Sequence, residues 1–323
     1  MTVFVTDPAS HLVGDAIGNL GDLIIREAIQ RELQGIGMSP TWIAYETRVA
    51  SGRLAIGGAN VVGNLPFIRR ALWNPGPALL GRNRATLFGV GWWKYQRRSD
   101  PLTALTYRRV LSSDGLHSVR DGYTLGRLNA MGIHNVLNTA CPTVWRLGDC
   151  IDQRWPDDIV VTITDYSRDS QRDLAMLRHL QSKGFRLALW PQGTEDSSYF
   201  TELCELDPAL RSITILDRSL AVLDQRLKAG AGFVGTRLHS GIRSLQHGRP
   251  TIVVAIDNRA IELGKDVGIP IAPRGDLAAI DRLLKQAQIE LKLPREQITS
   301  FLDAFATTFR AGIASPSQPC TTP

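Results

Sequence analysis

Short β-branched runs alternate with helical stretches along most of this 323-residue chain, and no other feature constrains its fold as strongly. Strands joined through helical crossovers must lie parallel, because a tight hairpin cannot reach a parallel neighbour. In the first half the strand candidates are "TVFVT", "TWIAY", "RLAIGG", "ATLFGVG", "HSVRD" and "NVLNT". Between the first two, "LGDLIIREAIQREL" sets Leu20, Ile24, Ala28 and Leu33 at near-helical spacing, with charges on the other side. After Arg154 the "WPDD" stretch reads as a linker, and a second series opens: "IVVTIT", "RLALWPQ", "ITILD", "GFVGT" and "TIVVAID". Helical patterns separate these too, and "SQRDLAMLRHLQSKG" ends on a C-cap signal at Gly184. The predicted architecture is α/β, with two Rossmann-like domains facing across a cleft, at residues 1–150 and 158–295. A last helix over 296–313 is free to cross back to the first domain, and 314–323 reads as a frayed tail.

Composition narrows the function classes. With 43% hydrophobic and 21% charged residues, the chain can bury a globular core without staples. Cys141, Cys150, Cys204 and Cys320 are scattered without paired spacing, which points to reduced thiols, and no metal-ligand cluster stands out. The start, "MTVFVTDPASH", lacks the basic region and long apolar run of a signal peptide, and no apolar run could span a bilayer. The expected location is the cytoplasm. The net charge of +6 is concentrated: between Phe67 and Arg154, 13 Lys/Arg stand against 5 Asp/Glu. There "FIRRALW", "GRNR", "WWKYQRR" and "YRRV" mix arginines with aromatics. One reading is an anionic partner or an anionic membrane at the inner face of the plasma membrane; the other is solvated helix faces with Arg stems packed on Trp. No nucleic-acid motif is evident, so nucleic acid is not expected as a partner.

In open α/β sheets, ligands bind beyond the carboxyl ends of the strands, so the strand-to-helix turns should carry the chemistry. The turn "GDAIGNLGDLII" is not a dinucleotide fingerprint, but Gly18, Asn19, Gly21 and Asp22 form a loop that lets backbone approach a ligand ahead of a helix. Asp22 either complements the helix dipole or orients and deprotonates a hydroxyl. "AIGGANVVG" places Gly57 and Gly58 after a strand with Asn60 following, and "LFGVGWWKY" repeats the device at Gly89 and Gly91.

The sharpest feature is "FVGTRLHSGIRSLQHGRPTIVV", residues 233–254, where Arg237 and His239 stand at a strand-to-helix junction. Exposed N–H groups at a helix start already favour anions, and two potentially cationic side chains reinforce that preference. Arg offers a planar fork to carboxylate or phosphate, and His can relay a proton. Leu238, Ile242 and Leu245 mark the core edge of the helix, while His239, Arg243 and Gln246 share a neighbouring face. The alternative is a buried capping histidine and an arginine in a structural ion pair.

Taken in order, "GNLGDLII", "AIGGANVV", "GVG", "SVRDGYT", "WPQGTED" and the "RLH…GxP" block resemble the polysaccharide pyruvyl transferase family from Gly14 to about Gly268. The resemblance implies a GT-B-like pair of Rossmann domains and transfer of pyruvate from phosphoenolpyruvate to a sugar, usually as a cyclic ketal. Arg237 and His239 match the family's donor-binding Arg and His, Asp22 the acidic residue of its N-terminal loop, and Arg120 and Asp121 its "RD" pair. Leu238, Arg243, Asn19, Gly21, Gly57, Gly58, Asn60, Gly91 and Arg120 are further candidate substrate-binding residues. Asp22 and His239 are the candidates for proton transfer. Two departures concern the acceptor side: Ala59 stands where the family often has glycine, and Trp92 and Trp93 where small residues usually follow "GxG". Those rings are candidates for stacking on a sugar.

The implied chemistry suits these residue types. Phosphoenolpyruvate carries phosphate and carboxylate, so its pocket needs cations and oriented N–H groups. Ketal formation needs a proton donor and a proton acceptor, but neither cofactor nor metal. The expected partners are phosphoenolpyruvate and a saccharide, free or lipid-linked. The same fold also accommodates a glycosyltransferase using a nucleotide sugar, or a non-catalytic saccharide- or anion-binding module.

Overall fold

A computed structural model describes residues 1–10, 12–13, 16–45, 47, 52–64, 73 and 84–311. Along the chain run β1 (Thr2–Thr6), the short antiparallel pair β2 (Leu12–Val13) and β3 (Ala16–Ile17), α1 (Gly21–Gly35), β4 (Ser39–Ile43), β5 (Leu54–Gly57) and β6 (Ala85–Phe88). Next come α2 (Pro101–Val110), β7 (His117–Val119), α3 (Gly122–Ala130), β8 (Val136–Asn138) and β9 (Cys150–Asp152). The second series is β10 (Asp158–Thr162), α4 (Ser170–Ser182), β11 (Arg186–Leu189), α5 (Asp196–Leu206), β12 (Thr214–Ile215), α6 (Leu220–Lys228), β13 (Gly232–Gly235) and α7 (Leu238–Gln246). It closes with β14 (Thr251–Ala255), α8 (Asn258–Val267), β15 (Ile271–Pro273), α9 (Leu277–Leu284), β16 (Gln288–Glu290) and α10 (Arg295–Ala311).

The chain divides into two compact units. The first comprises Met1–Asp7, Glu27–Pro142 and the chain from Pro294; the second comprises Pro8–Arg26 and Thr143–Leu293. In the first, β4-β1-β5-β6 form a parallel sheet, and β7 and β8 pair in parallel. The N–H groups of Gly89 and Arg120 donate to Ser118 and Val90 carbonyls at 3.0 Å, so β7 continues the sheet beyond β6. Every residue of β5, β6 and β7 is buried, as expected of parallel strands covered on both faces. Helix α10 packs Phe301 and Phe305 edge-on against Phe88, with ring centroids 5.0 and 5.3 Å apart, and this groups it with the first unit.

In the second unit, β12-β11-β10-β13-β14-β15 are all parallel, which is the strand order of a dinucleotide-type doubly wound sheet. Its core joins Ile159 and Val161 of β10, Leu177 and Leu180 of α4, Phe200 and Leu203 of α5, and Val234 of β13. The C-cap signal is met: Gly184 takes φ +87°.

Two boundaries differ from the sequence expectation of a first domain over 1–150. Pro8–Arg26 groups with the second unit, because Asn19 bridges to Gly193 and the Leu20 N–H donates to the Gln192 carbonyl at 3.1 Å. The later crossing falls at Pro142/Thr143 rather than at 150–157, because β9 pairs antiparallel with β16 and Trp155 packs on Gly232. Alternation of strands and helices does not report an antiparallel pair made from chain ends far apart in sequence. All of "FIRRALW" but Trp73, most of "GRNR", Gly14, the tail and Cys320 lie outside the described residues. Cys141, Cys150 and Cys204 are free thiols. Among the described residues no helix is long and apolar enough to cross a membrane.

Candidate active site

The second sheet changes direction between β10 and β13: β10 is followed by β11 on one flank, and β13 by β14 on the other. An open α/β sheet leaves its ligand crevice beyond the strand ends at such a point. The two strands approach closely because residue 235 is glycine; a Cβ there would stand 2.6 Å from the Thr162 nitrogen and 2.8 Å from its carbonyl oxygen. Past Gly235, the Arg237 N–H donates to Thr162 Oγ1 at 3.1 Å, and the Thr164 and Thr236 hydroxyls meet at 2.7 Å. The junction is therefore fixed before α7 begins.

Arg237 occupies the N-cap position of α7 without capping it, and is 3% exposed. Its guanidinium is gripped by two carboxylates. Nε donates to Asp196 Oδ2 at 3.0 Å, while Nη2 bonds both Asp165 Oδ1, at 2.6 Å, and Asp196 Oδ1. The Tyr166 ring lies 4.9 Å from the guanidinium carbon. Nη1 makes no hydrogen bond to the described residues. Arg237 thus forms the structural ion pair, with most of its fork committed to the protein.

His239 is buried in the first turn of α7, and Leu238 is buried beside it. Ser240 Oγ donates to Gln192 Oε1 at 2.6 Å, and Gln192 Nε2 donates to Asn19 Oδ1 at 2.6 Å. Asn19 Oδ1 also accepts the Gly21 N–H at 3.1 Å. The loop ahead of α1, with Asn19, Gly21 and Asp22, is thereby tied through Gln192 to the helix that carries His239. Asp22 supplies the acidic residue of the first turn of α1. This overturns the assignment of Asn19 and Gly21 to the first domain: they belong with the Arg237 cluster.

Arg243 is brought elsewhere. Its Nε and Nη2 each bond Asp224 at 2.7 Å, and His247 Nε2 meets the same carboxylate at 3.0 Å. One helical turn carries Arg243 past the junction to a local ion pair, apart from the Asp165–Asp196–Arg237 cluster. Arg218, unremarked in the sequence, lies close enough for charge interaction with Asp196 and Arg237. It donates through Nη2 to the Ile17 carbonyl, while its buried Nε has no partner among the described residues; burial, chiefly, lowers its pKa.

The first unit gathers a second group at the ends of β5, β6 and β7. Gly58 and Ala59 both take left-handed backbone, at φ +53° and +57°, which explains why glycine suits position 59. Behind them Asn60 Oδ1 accepts from Arg120 Nη2, and a Cβ on Gly91 would stand 3.0 Å from Arg120 Cζ. Asp121 caps α3, accepting from the Thr124 N–H at 2.7 Å. Gly57 has a sheet role: its N–H donates to Thr6 Oγ1 at 2.9 Å and its carbonyl accepts from Tyr45 at 2.8 Å. Trp92 is fully buried, donating from Nε1 to Gln96 at 2.8 Å under the Arg127 guanidinium, so it offers no face for a sugar. The ring lies against Tyr107 of α2, with centroids 6.2 Å apart, and under Arg127 of α3, partners that the "GVGWW" string does not reveal.

A family model for polysaccharide pyruvyl transferases matches residues 19–258, well over half of the chain. The chain belongs to the polysaccharide pyruvyl transferase family. The matched span of this pyruvyl transferase family member runs from Asn19 past Arg243 and includes Asp165, Gln192 and Asp196. No curated protein matches it. Among solved structures, it is similar to the UDP-GlcNAc 2-epimerase of Methanocaldococcus jannaschii, crystallised with UDP-GlcNAc and UDP, at TM-score 0.51 and 11% identity, over 95% of this chain and 99% of that one. That likeness shows a GT-B-like α/β fold. The E. coli heptosyltransferase WaaC aligns at TM-score 0.34 and 14% identity, over 79% and 88% of the two chains. The wall teichoic acid polymerase TagF aligns at 0.39 and 14%, over 94% and 84%. Among the described residues no group of three or more His, Cys, Asp or Glu could hold a metal.

Gln192 and Asp196 sit in the "WPQGTED" block, whose family likeness was the available signal for them. Asp165 directly follows a strand candidate, so the strand-end rule pointed to it. Nothing in the sequence pointed to the shared guanidinium.

Proposed function

We propose that this family member transfers pyruvate from phosphoenolpyruvate onto a sugar of a surface polysaccharide or its lipid-linked precursor, as a ketal. The observation that carries the reading is the arginine clamped at the β10–β13 switch point, with one nitrogen left over at the start of a helix. A dianionic donor suits that arrangement: Arg237 Nη1 and the helix N–H groups take an anionic end, and His239 stands one step into the same helix. Asn60, Gly91 and Arg120 are proposed for the acceptor. The reaction so written calls for no cofactor. Incubation with phosphoenolpyruvate and a panel of glycans should release phosphate and add a pyruvyl mass increment to one of them. Release of nucleotide from a nucleotide sugar, with no reaction of phosphoenolpyruvate, would favour the glycosyltransferase reading instead.

A lipid-linked acceptor calls for contact with the membrane, and α2 offers a face for it. Thr103, Thr106, Tyr107 and Val110 are buried, while the opposite side exposes Leu102 (63%) and Leu105 (57%) beside Arg108 and Arg109. The adjoining loop exposes Lys94, Tyr95, Arg97 and Arg98. Apolar side chains ringed by cations suit an anionic bilayer surface at the cytoplasmic face. With each basic side chain worth about 1 kcal/mol, replacing Arg97 and Arg98 by Gln should weaken binding to phosphatidylglycerol vesicles about 30-fold at low salt. Co-sedimentation that does not change would leave this face merely solvated.

A further inference from the structure

One guanidinium lies between two carboxylates, and the second cation of the site, Arg218, adds its charge on the Asp196 side, so Asp165 is the carboxyl left short of a counter-charge. Arg237 can neutralise one of them. Asp196 has the stronger claim: its side chain is fully buried and also accepts N–H groups from Asp165 at 3.1 Å, Gln192 at 3.0 Å and Gly193 at 2.7 Å. A carboxylate holding that many donors stays ionised. Asp165 receives one hydrogen bond to its carboxylate, from Arg237 Nη2, and keeps its side chain 22% exposed at the crevice end of β10.

We propose that Asp165 is the proton carrier of this site, the carboxyl that protonates the methylene carbon of the enolpyruvyl group. The role rests on the pyruvyl-transfer reading. In the balanced step, the Asp165 proton moves to the terminal carbon, whose double-bond electrons form the new C–H bond. The adjacent carbon, left electron-poor, is attacked by one sugar hydroxyl, and that hydroxyl's proton restores Asp165. A second hydroxyl then displaces phosphate, and its proton leaves with the phosphate.

The surroundings push the two carboxyls apart. Burial raises the Asp165 pKa, the neighbouring Asp196 raises it further, and Arg237 offsets this only in part. For Asp196 burial also works upward, but the charge and hydrogen bonds of Arg237 and the Gly193 N–H outweigh it, and its pKa falls. Such a divergence between paired titrating groups marks which is the acid. The other charged groups nearby act at a distance from the carboxyl. Arg168 donates to the Asp165 backbone carbonyl at 3.3 Å and spends its charge on Glu202, while Arg259 pairs with Asp257 across Tyr166. A bound anionic donor would raise Asp165 again, in the direction the chemistry needs.

Asp165→Asn preserves size and a hydrogen bond to Arg237 but cannot carry a proton. The expected result is a folded variant that binds phosphoenolpyruvate in calorimetry like the parent, yet releases phosphate about 100- to 10,000-fold more slowly. The parent's rate should fall as pH rises through the Asp165 pKa, and this limb should be missing from the variant. Asp165→Glu should recover part of the rate. Carbon-13 NMR of labelled aspartate should find Asp165 titrating above the ordinary range while Asp196 stays ionised. An Asp165→Asn variant as fast as the parent, or an Asp165 carboxyl titrating in the ordinary range or below, overturns the proposal. A parent that releases no phosphate with any glycan overturns the pyruvyl-transfer reading, and this role with it.

Discussion

Arg237→Ala is expected to cost about 3–5 kcal/mol of folding stability, more than any surface substitution in the protein. The reason is what it leaves behind. Asp196 has no exposed side-chain surface and would keep its charge without a counter-ion, because three backbone N–H groups hold its oxygens. Desolvating an unpaired carboxylate is far more expensive than losing the ion pair's own net attraction. The measurement is urea unfolding of the parent and variant. Removing both partners, in Arg237→Ala with Asp196→Ala, should restore part of the loss and give a favourable coupling energy. Additive losses would mean that the two side chains act independently. The result also bears on any test of the proposed phosphoenolpyruvate site. Loss of phosphoenolpyruvate affinity in Arg237→Ala would mix unfolding with a lost contact. Arg237→Lys separates them: it retains the charge between Asp165 and Asp196 but not the planar fork.

His117 is expected to make the first unit acid-sensitive. It lies on β7, fully buried, with Nδ1 accepting the Leu87 N–H at 3.2 Å and Nε2 against the Ser112 carbonyl at 2.9 Å. Those partners fix the neutral tautomer with its proton on Nε2, since Nδ1 faces a donor. Burial pulls the pKa down to about 4, against smaller upward contributions from Ser112 and Asp114. The folded value lies below the unfolded one, so between pH 6.5 and about 4 the unfolded chain binds the proton and the folded chain does not. Stability from this group is complete above pH 6.5 and is lost as pH falls through that window, by roughly 3 kcal/mol. Urea melts from pH 7 to pH 4 give the slope, and imidazole NMR assigns it. A His117 ring that titrates near 6.5 in the folded protein would remove the effect.

Much of this protein was determined locally and could be read from the sequence. Strands such as "ATLF" and "GFVG" and the helix "SQRDLAMLRHLQS" follow from side-chain periodicity and caps, which act over a few residues. The "RLH" junction was legible for the same reason, since a strand end and a helix start are neighbours in sequence. Tertiary structure decided what those local features face. Arg237 meets its carboxylates 41 and 72 residues away, Asn19 meets Gln192 across 173 residues, and the last helix reaches Phe88 from beyond residue 294. Trp92 went into the core and Arg243 into a pair with Asp224, although both carried side chains suited to a ligand. Charge and burial depend on distance in space, and a carboxylate's proton affinity is set by the donors that surround it. The sequence could therefore mark Arg237 as a candidate, but only the fold could show one guanidinium shared by Asp165 and Asp196.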